Sequence, residues 1–150
     1  MHSEILKPVV VLAAWTMIMW LWMYATRLPA MSKAKIDAQN MIGGIGADLD
    51  KVLPAKTQWI AHNYNHLHEQ PTVFYAVAIA LAFMGAGNSL NAMIAWAYVA
   101  LRILHSLVQV TSNRVIIRFG IFALSGLCLA ALTLHAVVIA FAHEPIWLFK

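Results

Sequence analysis

Residues 90–110 read LNAMIAWAYVALRILHSLVQV, a run long and apolar enough to cross a bilayer as a helix, yet with Arg102, His105, Ser106 and Gln109 in its C-terminal half. A hydrocarbon core of about 30 Å takes about 20 helical residues, because every backbone polar group in lipid must be paired within the segment. The four polar residues stand at i, i+3, i+4 and i+7 and therefore share one helix face. Arg102 lies eight residues before Val110, about 12 Å below that end at about 1.5 Å per residue. A guanidinium at such depth costs roughly 2.5–3.5 kcal/mol on insertion scales and needs an anionic partner or a wet cavity.

The rest of the chain has the same character. Of its 150 residues 62% are apolar and 11% charged, with a mean hydropathy of +0.73, where soluble domains have roughly 45–50% and about 25%. A soluble enzyme with a polar shell, a disordered chain, a collagen and a disulfide-rich secreted fold are all excluded. Cys128 stands alone inside an apolar run and makes no intramolecular bridge. In a chain this apolar the net charge of +4 reads as membrane topology rather than nucleic-acid binding.

Working outward from 90–110, three more apolar segments give an all-α integral membrane domain with four spans, at about 8–26, 66–86, 90–110 and 119–142. The first has Glu4 as well as Lys7 ahead of it and exceeds the usual signal-peptide core of 7–15 residues, so it reads as a retained helix. Gly85, Gly87 and Asn88 are the only break between spans two and three, which predicts a tight helical hairpin. Arg27, Lys33, Lys35, Lys51, Lys56, Arg114 and Arg118 fall after spans one and three, against Lys7 and Lys150 on the other side. The positive-inside rule then places loops 28–56 and 111–118 in the cytoplasm and both termini outside. Gly43, Gly44 and Gly46 follow no strand and lack a lysine-serine ending, so they read as a turn and not a phosphate loop.

The apolar part of span two, 72–86, is too short to cross alone and borrows residues from its N-terminal side. There His62, Asn65, His66 and Glu69 repeat the i, i+3, i+4, i+7 spacing as a second polar stripe. Glu69 is the carboxylate closest to the right depth for Arg102, and an Arg102–Glu69 pair between helices or subunits is expected. All four arginines, Arg27, Arg102, Arg114 and Arg118, fall in or beside the cytoplasmic half. Their planar forks suit a small carboxylate-rich ligand entering from the cytoplasm; the competing role for Arg27, Arg114 and Arg118 is anchoring of helix ends at the headgroups. His62, His66, His68 and Glu69 have chelating spacing but no third-ligand pattern elsewhere, so no metal is expected. His135, alone among apolar residues, reads as an interhelical hydrogen bond.

Asn65-His66-Leu67-His68-Glu69-Gln70-Pro71 with Phe74-Tyr75, then Arg102-Ile103-Leu104-His105-Ser106 and Asn113-Arg114 with Arg118, in a four-span chain of this length, resembles the membrane-associated proteins in eicosanoid and glutathione metabolism, and most of all their bacterial branch. The resemblance implies a four-helix bundle per subunit, a homotrimer, and glutathione bound between adjacent subunits near the cytoplasmic face. It implies that Arg118 stabilises the glutathione thiolate, that Arg102, His105 and Ser106 line the site with Gln109 and Arg114, and that Arg27, Asn65 and Glu69 contribute from the first two spans. The sequence departs from the animal pattern in three ways. Ala61 and His62 stand where an arginine usually precedes the asparagine, Glu69 follows Asn65 by four residues instead of three, and Gln109 replaces a frequent tyrosine.

The implied activity is a glutathione transferase or peroxidase acting on lipophilic electrophiles or hydroperoxides drawn from the bilayer, in an inner membrane. The alternative is a non-catalytic trimer that binds lipid headgroups or another anionic metabolite. A transport or proton-relay role through His105, Glu69 and Arg102 is weaker, since four spans are few and no broken-helix repeat is evident.

Overall fold

The computed structural model describes residues 3–37, 40 and 42–142, so Lys150, counted above among the outer charges, lies outside the described residues. The described residues are helical, with no strand: α1 (Leu6–Lys33), a 3-10 turn (Gly46–Lys51), α2 (Ala55–His66), α3 (Gln70–Phe83), α4 (Ser89–Thr111) and α5 (Val115–Ala142). Three of these, α1, α4 and α5, are long and apolar enough to cross a membrane.

α4 shows why the chain belongs in lipid. Its polar residues Asn91, Arg102, His105, Ser106 and Gln109 are buried, while Met93, Trp96, Leu104 and Leu107 face outward, Met93 64% exposed. A helix of a water-soluble bundle has the opposite arrangement. α1 and α5 likewise turn Val10, Ile18, Leu21, Leu127, Leu134 and Val138 outward. α1 continues past the expected end at 26 to Lys33, with Pro29 inside it; a proline there removes one donor, and its fixed φ remains compatible with the helix.

The expected second span, 66–86, is not one helix. α2 stops at His66, and α3 begins at Gln70 with Pro71 in its first turn. Pro71 has no N–H to give to the carbonyl one turn back, and its ring crowds that carbonyl, so the chain breaks at 67–69. Thr72 secures the restart by donating its hydroxyl to the Glu69 carbonyl at 2.6 Å.

The predicted hairpin of spans two and three is also corrected. α4 lies closest along α5, while α3 packs on α1 and α5 and touches α4 through the Phe74 ring stacked on Tyr98 at 4.4 Å. Successive neighbours therefore run α1, α3, α5, α4 and back to α1, a closed ring of four helices in which α3 and α4 stand diagonally. Leu12, Met19, Phe74, Leu81, Tyr98, Leu129 and Leu132 fill its centre. His135 Nδ1 and Asn91 Oδ1 meet at 2.9 Å and tie α5 to α4, the interhelical bond the sequence suggested. α2 packs on α1 and α4 below the ring, and this places its last turn beside the polar end of α4.

Candidate functional site

Where α2 ends, its last carbonyls lose their intrahelical donors, and the break turns one of them to use. The His66 carbonyl accepts from Arg102 Nη2 at 3.2 Å. The Arg102 guanidinium also lies over the Phe122 ring, 5.6 Å from its centroid, within cation–π range. The expected Arg102–Glu69 ion pair does not form within the chain: the Glu69 carboxylate bonds His66 Nδ1 instead. The cause is the break at 67–69, which folds Glu69 back over the preceding turn instead of continuing the stripe. Arg102 is 1% exposed, and its Nε and Nη1 have no partner among the described residues.

Beside this pair, the end of α2, the C-terminal half of α4 and the start of α5 flank an open cavity of ≈ 320 Å³. Its walls are His62, His66 and Glu69, then His105 and Gln109, then Val115, Arg118, Phe119 and Phe122. The His66 and His105 rings stand 5.1 Å apart, and His66 and Phe122 5.5 Å. His105 Nδ1–H donates to the Arg118 carbonyl at 3.1 Å, leaving Nε2 buried and without a partner among the described residues, as are Gln109 Oε1 and Arg118 Nε. Arg118 sits in the first turn of α5, where its Nη1 donates to Asn113 Oδ1. Asn113 itself holds the turn between α4 and α5 with φ +50°, a left-handed conformation that asparagine tolerates better than most residues.

The His66 ring is partly buried, and that burial is the main reason its pKa falls below the ordinary value of 6.5. Arg102 and Arg118 push it further down, and the bond and charge of Glu69 oppose them. His66 is therefore a neutral imidazole near pH 7 with a carboxylate on one nitrogen.

Of the residues singled out from the sequence, Glu69, His105, Gln109 and Arg118 line the cavity, and Arg102 and Ser106 lie buried behind it. The other three lie elsewhere. Arg27 donates to the Gly46 carbonyl and to Gln58 Oε1, tying the 3-10 turn to α1 and α2. Asn65 and Arg114 are exposed. The asparagine that meets Ser106 is Asn63, whose Oδ1 accepts from Ser106 Oγ at 2.8 Å with both side chains buried. Spacing to His105 and Ser106 does not reveal this, because α2 meets α4 through a register that only packing sets. His62, His66, Val115, Phe119 and Phe122 complete the walls; for His62 and His66 the signal was their place on one polar helix face with Glu69.

No three His, Cys, Asp or Glu among the described residues are placed to hold a metal ion. His62 Nε2 is 2.9 Å from Asp50 Oδ2, His68 Nδ1 donates to the Tyr64 carbonyl at 2.9 Å, and His66 is held by Glu69, so the chelating spacing is turned to three separate partners.

The model of the MAPEG family matches residues 5–138, which takes in α1 to α4, most of α5 and every wall of the cavity. The chain belongs to the MAPEG family. None of the curated proteins and none of the solved structures compared with it matches. As a MAPEG protein with three helices fit to cross a bilayer, it is an integral membrane protein.

Proposed function

We propose that this MAPEG protein is a glutathione-dependent transferase or peroxidase that activates the thiol in the cavity between α2, α4 and α5. The supporting observation is the Arg118 guanidinium on a cavity wall next to buried, unpartnered His105 Nε2 and Gln109 Oε1. Those groups fit glutathione: cationic donors suit its thiolate and carboxylates, and the volume lies at the lower end of ligand pockets, about 300–1,000 Å³. Glutathione supplies the nucleophilic sulfur. Arg118 favours the anion over a thiol whose ordinary pKa is about 8.5, and Val115, Phe119 and Phe122 offer an apolar wall to a lipophilic electrophile or hydroperoxide.

In this reading α3 is the fourth span, α2 lies at the cytoplasmic surface of an inner membrane, and the working unit is a homotrimer. Asn65 and Arg114, exposed on the single chain, then face a neighbouring subunit. The test is a thermal-shift titration with glutathione and an S-alkyl analogue, together with ultraviolet absorbance of the thiolate. A free thiol is about 3% ionised at pH 7, while one to three units of depression beside a guanidinium makes about a quarter or more of it anionic. R118A returns the bound thiol to a few per cent; retention of the wild-type absorbance in R118A refutes the role of Arg118. Binding of neither ligand, with an anionic lipid co-purifying instead, refutes the glutathione reading.

A further inference from the structure

Glu69 bonds the ring of His66 and not Arg102, and that choice has chemical consequences. A carboxylate only accepts, so His66 carries its proton on Nδ1 and keeps a lone pair on Nε2. Nε2 has no hydrogen-bond partner among the described residues, and the ring forms part of the cavity wall that also holds Arg118. We propose that His66 is the general base of this site, taking the thiol proton on Nε2, and that Glu69 is a positioning residue that holds the ring and stabilises the imidazolium. This rests on the glutathione reading above and adds a proton acceptor to it.

The step balances simply. The S–H bond breaks, both its electrons stay on sulfur, the proton forms an N–H bond at His66 Nε2, and Arg118 faces the new anion. Of the two other imidazoles on the wall, His62 stands 47% exposed with Nε2 held by Asp50, and the buried His105 is a poorer acceptor. Its Nδ1 donates to a backbone carbonyl, and no carboxylate stands behind it to hold a positive charge. The charged and titratable groups facing His66 are His62 on its own helix, Glu69 at the break, Arg102 and His105 on α4, and Arg118 on α5. Two of these are cations that keep the free imidazole neutral, hence able to accept. The dyad is paired as a base must be in general acid–base catalysis, with the base oriented by a third group.

Counting protons separates a base in the site from an anion formed by Arg118 alone. The full chain in phospholipid nanodiscs is titrated with glutathione and with S-methylglutathione at neutral pH. Calorimetry in two buffers of different ionisation enthalpy gives the protons released, and ultraviolet absorbance gives the thiolate formed. With His66 as base, the wild type binds both ligands and releases well under half a proton per thiolate, because the proton stays on His66. H66Q then either forms little thiolate or releases a whole proton for each one formed. E69Q, the milder variant should H66Q not fold, moves proton release toward one and raises the pH midpoint of thiolate formation. A whole proton released per thiolate in wild type, unchanged in H66Q and E69Q, overturns the base and leaves the glutathione reading standing. Binding of neither ligand overturns both.

Discussion

The Ser106–Asn63 hydrogen bond joins α2 to the polar half of α4 beside the Arg102–His66 bond, and S106A tests how much it holds. Ser106 is 0% and Asn63 1% exposed, and Oγ lies 2.8 Å from Oδ1. Removing the hydroxyl forfeits a neutral bond of about 1 kcal/mol net. It also strands Asn63, whose Nδ2 already has no partner among the described residues, and a buried unsatisfied amide costs about 1–3 kcal/mol. Interhelical bonds measured inside a membrane protein average only about 0.6 kcal/mol, with a maximum near 1.7, because the unfolded chain in lipid finds other partners. For a pair at the end of the span we expect S106A to cost about 1–2 kcal/mol. N63A costs more, since it also opens a cavity, and the double variant costs about 1 kcal/mol less than the sum. Reversible unfolding in mixed micelles, run as a double-mutant cycle, measures each term. A coupling below about 0.3 kcal/mol shows that the contact carries no stability and that α2 is held on α4 by the Arg102–His66 bond and apolar packing.

Three further outcomes follow from other contacts. H135A breaks the bond to Asn91 Oδ1 and lowers stability in the same assay by about 0.6–1.7 kcal/mol, with glutathione binding unchanged. R27A frees the 3-10 turn from its contacts with Gly46 and Gln58; trypsin then cleaves at Lys51 or Lys56 several-fold faster, while global stability moves by about 1 kcal/mol or less. In nuclear magnetic resonance the ligand-free His66 titrates below 6.5, since burial and the two arginines lower it, and E69Q moves it lower still. A depressed histidine pKa means the unfolded chain binds its proton first, so the stability tied to His66 is full above 6.5 and falls as pH drops through that value toward the folded pKa. A midpoint at or above 6.5 in the wild type refutes the assigned environment.

How much was legible beforehand depended on the range of the interaction. The membrane character and the helices follow from composition and from apolar runs of bilayer length, and the inward face of α4 follows from the i, i+3, i+4, i+7 spacing of Arg102, His105, Ser106 and Gln109, all of which are buried. Apolar length alone runs the second span straight through Pro71, where the chain instead starts a new helix. The physics of a missing donor was sufficient to place the break, and with it the loss of Glu69 from the stripe.

The sequence by itself determined that the chain lives in lipid, that it is built of helices, and which side chains are too polar to face hydrocarbon, because each of these depends on local transfer free energies and helical periodicity. Tertiary structure alone decided partners. Arg102 took the His66 carbonyl, Glu69 took the His66 ring, Ser106 took Asn63, and α4 lay along α5 with α3 on the far diagonal. A helix spacing states which residues share a face. It does not state which rotation and height of the next helix meets that face, and those are set only when all four helices close their ring together.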